Sequence, residues 1–269
     1  QFSVAARSSA GLGDRSEVVR VSTSSAKPDP PTATHQTASS ITLSWSAPTV
    51  GTGEASTGYQ VYMVTVAAGT TEPVYTVVYD GAGSEATSVE LTSLDSGSLY
   101  TYVLSSLSAA GESDKSDAMS ASTAPGVATG LSSTVQTTGS IALAWTAPTI
   151  PSGAAVTGYK VYSRVVSFGL QTPYEASADA HFFYDPDSDL LVADHLVYDS
   201  RNDVVTSVVL GANNLHSLQG GSLYTYLVGV LSDAGESDRS ASLAVSTAAP
   251  APTGLVSVSQ TTTGMELSW

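Results

Sequence analysis

Two short motifs recur along this chain at the same pair of intervals. Trp45, Trp145 and Trp269 each close a stretch of one design: Ile41-Thr42-Leu43-Ser44-Trp45, Ile141-Ala142-Leu143-Ala144-Trp145 and Met265-Glu266-Leu267-Ser268-Trp269. Their offsets are 145 − 45 = 100 and 269 − 145 = 124. Ala10-Gly11, Ala110-Gly111 and Ala234-Gly235 repeat the same two offsets. Unrelated landmarks sharing both spacings imply whole-domain duplication, with one insertion of 124 − 100 = 24 residues. Repeats of this kind build arrays, and arrays hold, space or bind rather than catalyse.

Period-two alternation marks the segments on which the copies agree. Ile41, Leu43 and Trp45 share one face while Thr42 and Ser44 take the other. Tyr59, Val61 and Met63 alternate with Gln60 and Tyr62, and Tyr100, Tyr102 and Leu104 with Thr101 and Val103. Successive side chains of a strand point to opposite faces, so this pattern predicts half-buried β-strands. The runs are short, rich in Val, Thr and Tyr, and separated by Gly, Pro and Ser. No window carries a helical period. An all-β chain of two-sheet sandwiches is expected.

These residues resemble a known family. Pro30-Pro31, Ser40 to Pro48 and Gly58-Tyr59-Gln60-Val61-Tyr62 are similar to the first half of a fibronectin type III domain. Leu94-Asp95-Ser96-Gly97-Ser98-Leu99-Tyr100 resembles its tyrosine-corner turn, and Ala110-Gly111-Glu112-Ser113 its F–G region. The second copy matches at Pro148, Gly158-Tyr159-Lys160-Val161-Tyr162, Gly221-Ser222-Leu223-Tyr224 and Ala234-Gly235-Glu236-Ser237. One departure stands out: the Pro that usually precedes the corner Gly is Ser96 in one copy and Gly220 in the other. The resemblance implies tandem immunoglobulin-like sandwiches arranged as extended beads on a string. It implies Trp45 and Trp145 as plugs between sheets, and Tyr100 and Tyr224 with hydroxyls bonded to backbone a few residues upstream.

On this reading residues 1–24 supply strands F and G of a preceding domain. Residues 26–124 form one complete domain and 125–248 a second. Residues 249–269 supply strands A and B of a third. The Pro-rich joints Lys27-Pro28-Asp29-Pro30-Pro31 and Ala248-Ala249-Pro250-Ala251-Pro252 predict short, semi-rigid links. Met265, Leu267 and Trp269 are expected to form an exposed apolar stripe. The two ends read as a window onto a longer polymer, or as strands completed by neighbouring copies.

The insertion falls near 166–196. Ala180-His181-Phe182-Phe183-Tyr184 and Leu190-Leu191-Val192-Ala193-Asp194 flank Asp185-Pro186-Asp187-Ser188-Asp189, two apolar runs around a turn, which predicts a β-hairpin. A hairpin needs a surface to lie on. It either caps its own sheet or docks Phe182, Phe183 and Tyr184 onto a neighbour, aromatic anchors being prominent in interface cores. Asp185, Asp187 and Asp189 offer alternate oxygens to a calcium ion, although Leu190 and Leu196 stand where a calcium loop carries Gly and an acid. The competing reading is a solvated acidic turn. Asp179, His181 and His195 could share a face, but without the ligand spacing of a zinc site. His35 and His216 are isolated and read as surface residues.

Composition narrows the partners. A formal net charge of −15 argues against a nucleic-acid backbone or an anionic membrane surface. Charged residues make up 12% of the chain, against about 25% in typical soluble domains. Ser and Thr carry the polarity instead, which suits an exposed, neutral or glycan-coated surface. With no Cys, neither disulfides nor thiol chemistry contributes. No apolar run reaches the roughly 18 residues of a membrane span. No Asn lies in an N-glycan acceptor, whereas Thr32, Thr34, Thr149 and Ser152 lie near Pro and are candidate O-glycan sites. There is no Gly-x-Ser-x-Gly elbow, phosphate-cradling loop or His-Glu-x-x-His. Asp14-Arg15, Asp114-Lys115 and Asp238-Arg239 in the F–G region read as local salt bridges, and the Arg-Gly-Asp tripeptide of some family members is absent.

Three functions fit. The first is a non-enzymatic structural and adhesive repeat of an extracellular fibre or cell-surface filament, with copies of itself, neighbouring repeats and glycans as partners. The second is a spacer in a secreted polysaccharide-degrading enzyme. The third is a receptor ectodomain. No cofactor is expected beyond the calcium noted above.

Overall fold

The structure, a computed structural model, describes residues 1–49, 54–167, 181–185, 190–211 and 217–269; of residues 165–167, 181–185 and 190–193 it describes the backbone alone. Every regular element among the described residues is a β-strand. The chain divides into two compact units, residues 1–124 with 151–154, and residues 125–150 with 155–269.

The first unit contains, in chain order, β1 (Ala5–Ser8), β2 (Gly11–Arg15), β3 (Thr32–Gln36), β4 (Ile41–Ser44), β5 (Gly58–Val66), β6 (Pro73–Asp80), β7 (Ser88–Leu91), β8 (Leu99–Ser108), β9 (Gly111–Glu112) and β10 (Met119–Ser122). One sheet runs β3-β4-β7 and the other β10-β8-β5-β6, with β9 pairing β8. β1 and β2 form a separate antiparallel hairpin.

Alternation decides what lies between the two sheets. Ile41 and Leu43 from β4 are fully buried, with Trp45 just beyond them. They meet Tyr59, Val61, Tyr102 and Leu104 from the opposite sheet in one apolar cluster with Leu91 and Ala121. Trp45 is 8% exposed, and its indole meets the Tyr59 ring edge-on at 5.6 Å. Edge-to-face aromatic pairs add to area burial because ring edges are positive and faces negative.

The second unit contains β11 (Thr129–Gln136), β12 (Ser140–Thr146), β13 (Val156–Ser167), β14 (His181–Asp185), β15 (Leu190–Asp199), β16 (Ser207–Gly211), β17 (Leu223–Ser232), β18 (Gly235–Glu236), β19 (Leu243–Ser246), β20 (Val256–Gln260) and β21 (Met265–Ser268). Its sheets run β11-β12-β16 and β14-β15-β13-β17-β18, with β19 also on β17 and β20-β21 apart. Ile141, Leu143, Trp145, Tyr159, Val161, Leu210, Tyr226 and Val228 rebuild the same core. Trp145 is 5% exposed and meets Tyr159 at 5.3 Å. By contrast, Trp269 is 75% and Met265 62% exposed, because β20 and β21 have no second sheet over them.

A glycine stands in the opening residues of the third strand of each sandwich for a steric reason. A Cβ on Gly58 would lie 2.4 Å from the carbonyl oxygen of Gly81, and one on Gly158 2.7 Å from that of Ser200. Here the strand after the sheet bend crosses too close for any side chain.

Candidate functional site

The two tyrosine corners share one geometry. The backbone N–H of Asp95 donates to Tyr100 Oη at 2.8 Å, and that of Gln219 to Tyr224 Oη at 2.8 Å. Each bond spans five residues and ties the turn to the start of its strand. Gly97 and Gly221 take φ of 60° and 71°, the left-handed region, so glycine carries the turn without the preceding proline.

A polar cluster recurs on the outer face of the larger sheet. Glu112 accepts the hydroxyl of Tyr62 at 2.6 Å and the ammonium of Lys115 at 3.3 Å. Lys115 Nζ lies 4.2 Å from the Tyr62 ring centroid, a cation–π contact, and 5.5 Å from that of Tyr75. In the second unit Glu236 accepts Tyr162 Oη at 2.7 Å and Lys160 Nζ at 3.0 Å, and also Arg239, whose guanidinium sits 3.6 Å over the Tyr162 ring. The acid–base pairs expected in the F–G region therefore form differently: Lys115 and Arg239 bind the glutamates three residues before them rather than the adjacent aspartates. The glutamate and the cation reach over the same tyrosine in each copy.

Electrostatics make this cluster a clamp. Burial and the Glu112 carboxylate push the Tyr62 phenol up to about 12. Burial opposes ionisation of Glu112, but the hydrogen bonds from Tyr62 and Lys115 favour the carboxylate, and the carboxyl is held below its ordinary value. The phenol stays protonated and the carboxylate ionised at neutral pH, so neither is poised to exchange a proton. Tyr62 is only 7% exposed although alternation puts it on the solvent face, because Lys115 and Tyr75 lie against it.

Five serines carry a role that sequence reasoning missed. Ser116 N–H donates to Leu104 O at 2.7 Å while its Oγ accepts Leu104 N–H at 2.9 Å. Ser240 does the same to Val228, and Ser16 to Val4. Ser113 and Ser237 make the equivalent pair with Ser106 and Val230. A hydroxyl here replaces the carbonyl that a regular strand would present. The available signal was the repetition of Ser-Asp-Lys/Arg-Ser itself.

In the insertion, β14 pairs antiparallel with β15 from His181↔Asp194 to Asp185↔Leu190, and β15 pairs with β13. Phe182, Phe183 and Tyr184 thus sit on a strand that extends its own sheet. Arg164 and Asp194 face each other across β13 and β15 in a bidentate ion pair of 2.8 and 3.0 Å, with the Asp194 side chain 6% exposed. Asp185 ends β14; Asp187 and Asp189 lie outside the described residues, as do Asp179 and His216. Among the described residues no cluster of three metal-ligating side chains occurs. His35 is exposed and His195 half-buried on β15. Thr32, Thr34, Thr149 and Ser152 are exposed, with the Thr32 and Thr34 hydroxyls hydrogen-bonded to β4.

The fold is thus a tandem of immunoglobulin-like sandwiches, each closed by a tyrosine corner. Residues 26–122 match the model of the fibronectin type III domain, and the second sandwich rebuilds the same core. Chitinase A1 of Niallia circulans is 37% identical over 141 residues, covering 47% of this chain and 17% of that protein. Exoglucanase B of Cellulomonas fimi is 31% identical over 156 residues, covering 52% of this chain and 13% of that protein. The matches therefore span less than a fifth of those relatives' lengths. Among solved structures, a two-domain fibronectin type III segment of chicken tenascin is similar at 19% identity and a TM-score of 0.36, covering 82% of this chain and 99% of that one. No helix among the described residues is long and apolar enough to cross a membrane.

Proposed function

We propose that this segment is a non-catalytic spacer in a secreted protein that degrades polysaccharide. The observation that carries this reading is the similarity to portions of a chitinase and an exoglucanase through sandwich modules. The charge balance of the repeated clusters supports it, since their tyrosines and glutamates are spent on one another. The segment would hold other modules apart, with residues 26–124 and 125–248 as complete domains, 1–24 and 249–269 as strands of flanking ones, and the Pro-rich joints as links. An extracellular setting, O-glycans at Thr32, Thr34, Thr149 and Ser152, and calcium at Asp185, Asp187 and Asp189 belong to the same proposal.

The test is the parent reading frame together with an assay. A glycosidase module in that frame, and no sugar release from chitin or cellulose by this segment alone, are the expected results. Sugar release by the segment would refute the spacer role. A frame made only of further repeats would favour the second reading, an adhesive repeat of an extracellular fibre. The specific observation on that side is the aromatic strand β14, which lies at the margin of its sheet.

A further inference from the structure

The first compact unit holds a piece of chain from far downstream. Pro151–Ala154 belong to it, although β12 and β13, the strands before and after them, belong to the second unit. The segment lies on the tyrosine corner. Gly97 gives its own N–H to Ala124 O at 2.9 Å, and its carbonyl accepts the N–H of Gly153 at 2.8 Å and that of Ser152 at 3.4 Å. In the other direction, Leu99 N–H donates to Ser152 Oγ at 3.1 Å. Ala154 N–H donates to Ser122 Oγ at 3.1 Å. Gly97 is buried, and Gly153 and Ala154 are half-buried, so backbone groups that lose water here have found partners. The fit leaves no space at Gly153. A Cβ there would lie 2.6 Å from both the carbonyl carbon and oxygen of Gly97 and 2.9 Å from Ser98 N. Those are backbone atoms of a turn already tied to Ala124 and to Tyr100, with no flexible side chain to move aside.

A related contact occurs one repeat earlier. Glu54 precedes Ala154 by 154 − 54 = 100 residues, the interval of the duplication. Its N–H donates to Thr23 O at 3.2 Å, next to Ser22, the counterpart of Ser122. In both places the loop after the Trp strand of one repeat reaches the end of the last strand of the repeat before it.

We infer that Pro151–Ala154 is a clip that ties the folding of the first sandwich to that of the strands carrying it, β12 and β13. The tyrosine corner of one repeat is then an interaction surface, and its partner is the loop after the Trp strand of the next repeat. Both ends of the clip are held by strands whose core residues, Trp145 and Tyr159, pack together in the second sandwich. Losing that core frees the loop, and the few bonds at the corner no longer offset the entropy of fixing it there. Such a linkage is reciprocal, so the clip also favours the folded second sandwich. The inference is independent of the spacer reading, since an adhesive repeat would use the same clip.

The experiment uses the whole chain and residue-resolved hydrogen exchange. Ser152→Ala removes one acceptor, so the Leu99 amide should exchange about tenfold faster, the factor expected of one net hydrogen bond, while the Gly153 amide keeps its protection. Gly153→Ala should release the Leu99 and Ala154 amides together. Gly139→Ala adds the same methyl where nothing lies within 4 Å and should alter neither. Trp145→Ala decides the coupling. At a temperature where this variant has lost its second sandwich, the Leu99 amide should be released while Leu104, in the core of the first, stays protected. A variant whose second sandwich never folds gives the same reading. Leu99 protection unchanged in Ser152→Ala, or retained in Trp145→Ala once the second sandwich has unfolded, overturns the inference.

Discussion

Replacing Ser116 with Ala removes one oxygen from a buried place. Leu104 is fully buried and Ser116 is 6% exposed, so water has no easy route to the Leu104 N–H once its acceptor is gone. An unmet buried donor costs about 1–3 kcal/mol. The hydroxyl also donates to Asp117 O, but Asp117 is exposed and water takes over that bond, so its loss adds little. At the middle of that range, about 2 kcal/mol, a domain of this size should lose about 8–16 °C in its melting temperature. The copies supply the controls. Ser240→Ala should shift the transition of the second sandwich similarly, since Val228 is fully buried. Ser16→Ala should cost under about 0.5 kcal/mol, because Val4 is 74% exposed and water can satisfy its N–H. Calorimetry reads the transitions and hydrogen exchange reads the Leu104 amide. Equal costs at Ser16 and Ser116, or unchanged protection of Leu104 in Ser116→Ala, would refute the argument. Ser116→Thr keeps the oxygen and should retain most of the stability.

Trp145→Ala should destabilise the second sandwich by about 3–5 kcal/mol, read by chemical denaturation, because the indole fills the space between its sheets. Gly158→Ala should cost about 1–3 kcal/mol in the same assay, since the new Cβ would meet Ser200 O at 2.7 Å. The Tyr62 phenol is raised from an ordinary 10.0 to about 12, so the fold favours its neutral form. Its contribution is full below pH 10.0 and is lost as pH rises towards about 12. Phenolate absorbance should show one late-titrating tyrosine missing in Tyr62→Phe, whose alkaline unfolding should lack that loss.

Much of this protein was written locally. Two-residue alternation in Ile41 to Trp45 and Tyr59 to Met63 names the core face without any knowledge of the partner sheet, because strand geometry itself assigns alternate side chains to opposite sides. The 100- and 124-residue spacings define the duplication and locate the insertion. The two apolar runs around its Asp-rich centre announce paired strands, which appear as β14 and the first half of β15. Other features depend on residues far apart in the chain. Tyr62 reads as solvent-facing and is buried because Lys115, fifty-three positions later, lies over its ring. Lys115 binds Glu112 rather than Asp114 because strand β9 turns the glutamate onto that tyrosine. Ser116 looks like loop polarity until Leu104 is brought beside it. Periodicity reports which side of a strand a residue occupies; which neighbour waits there is settled only when the sheets have paired.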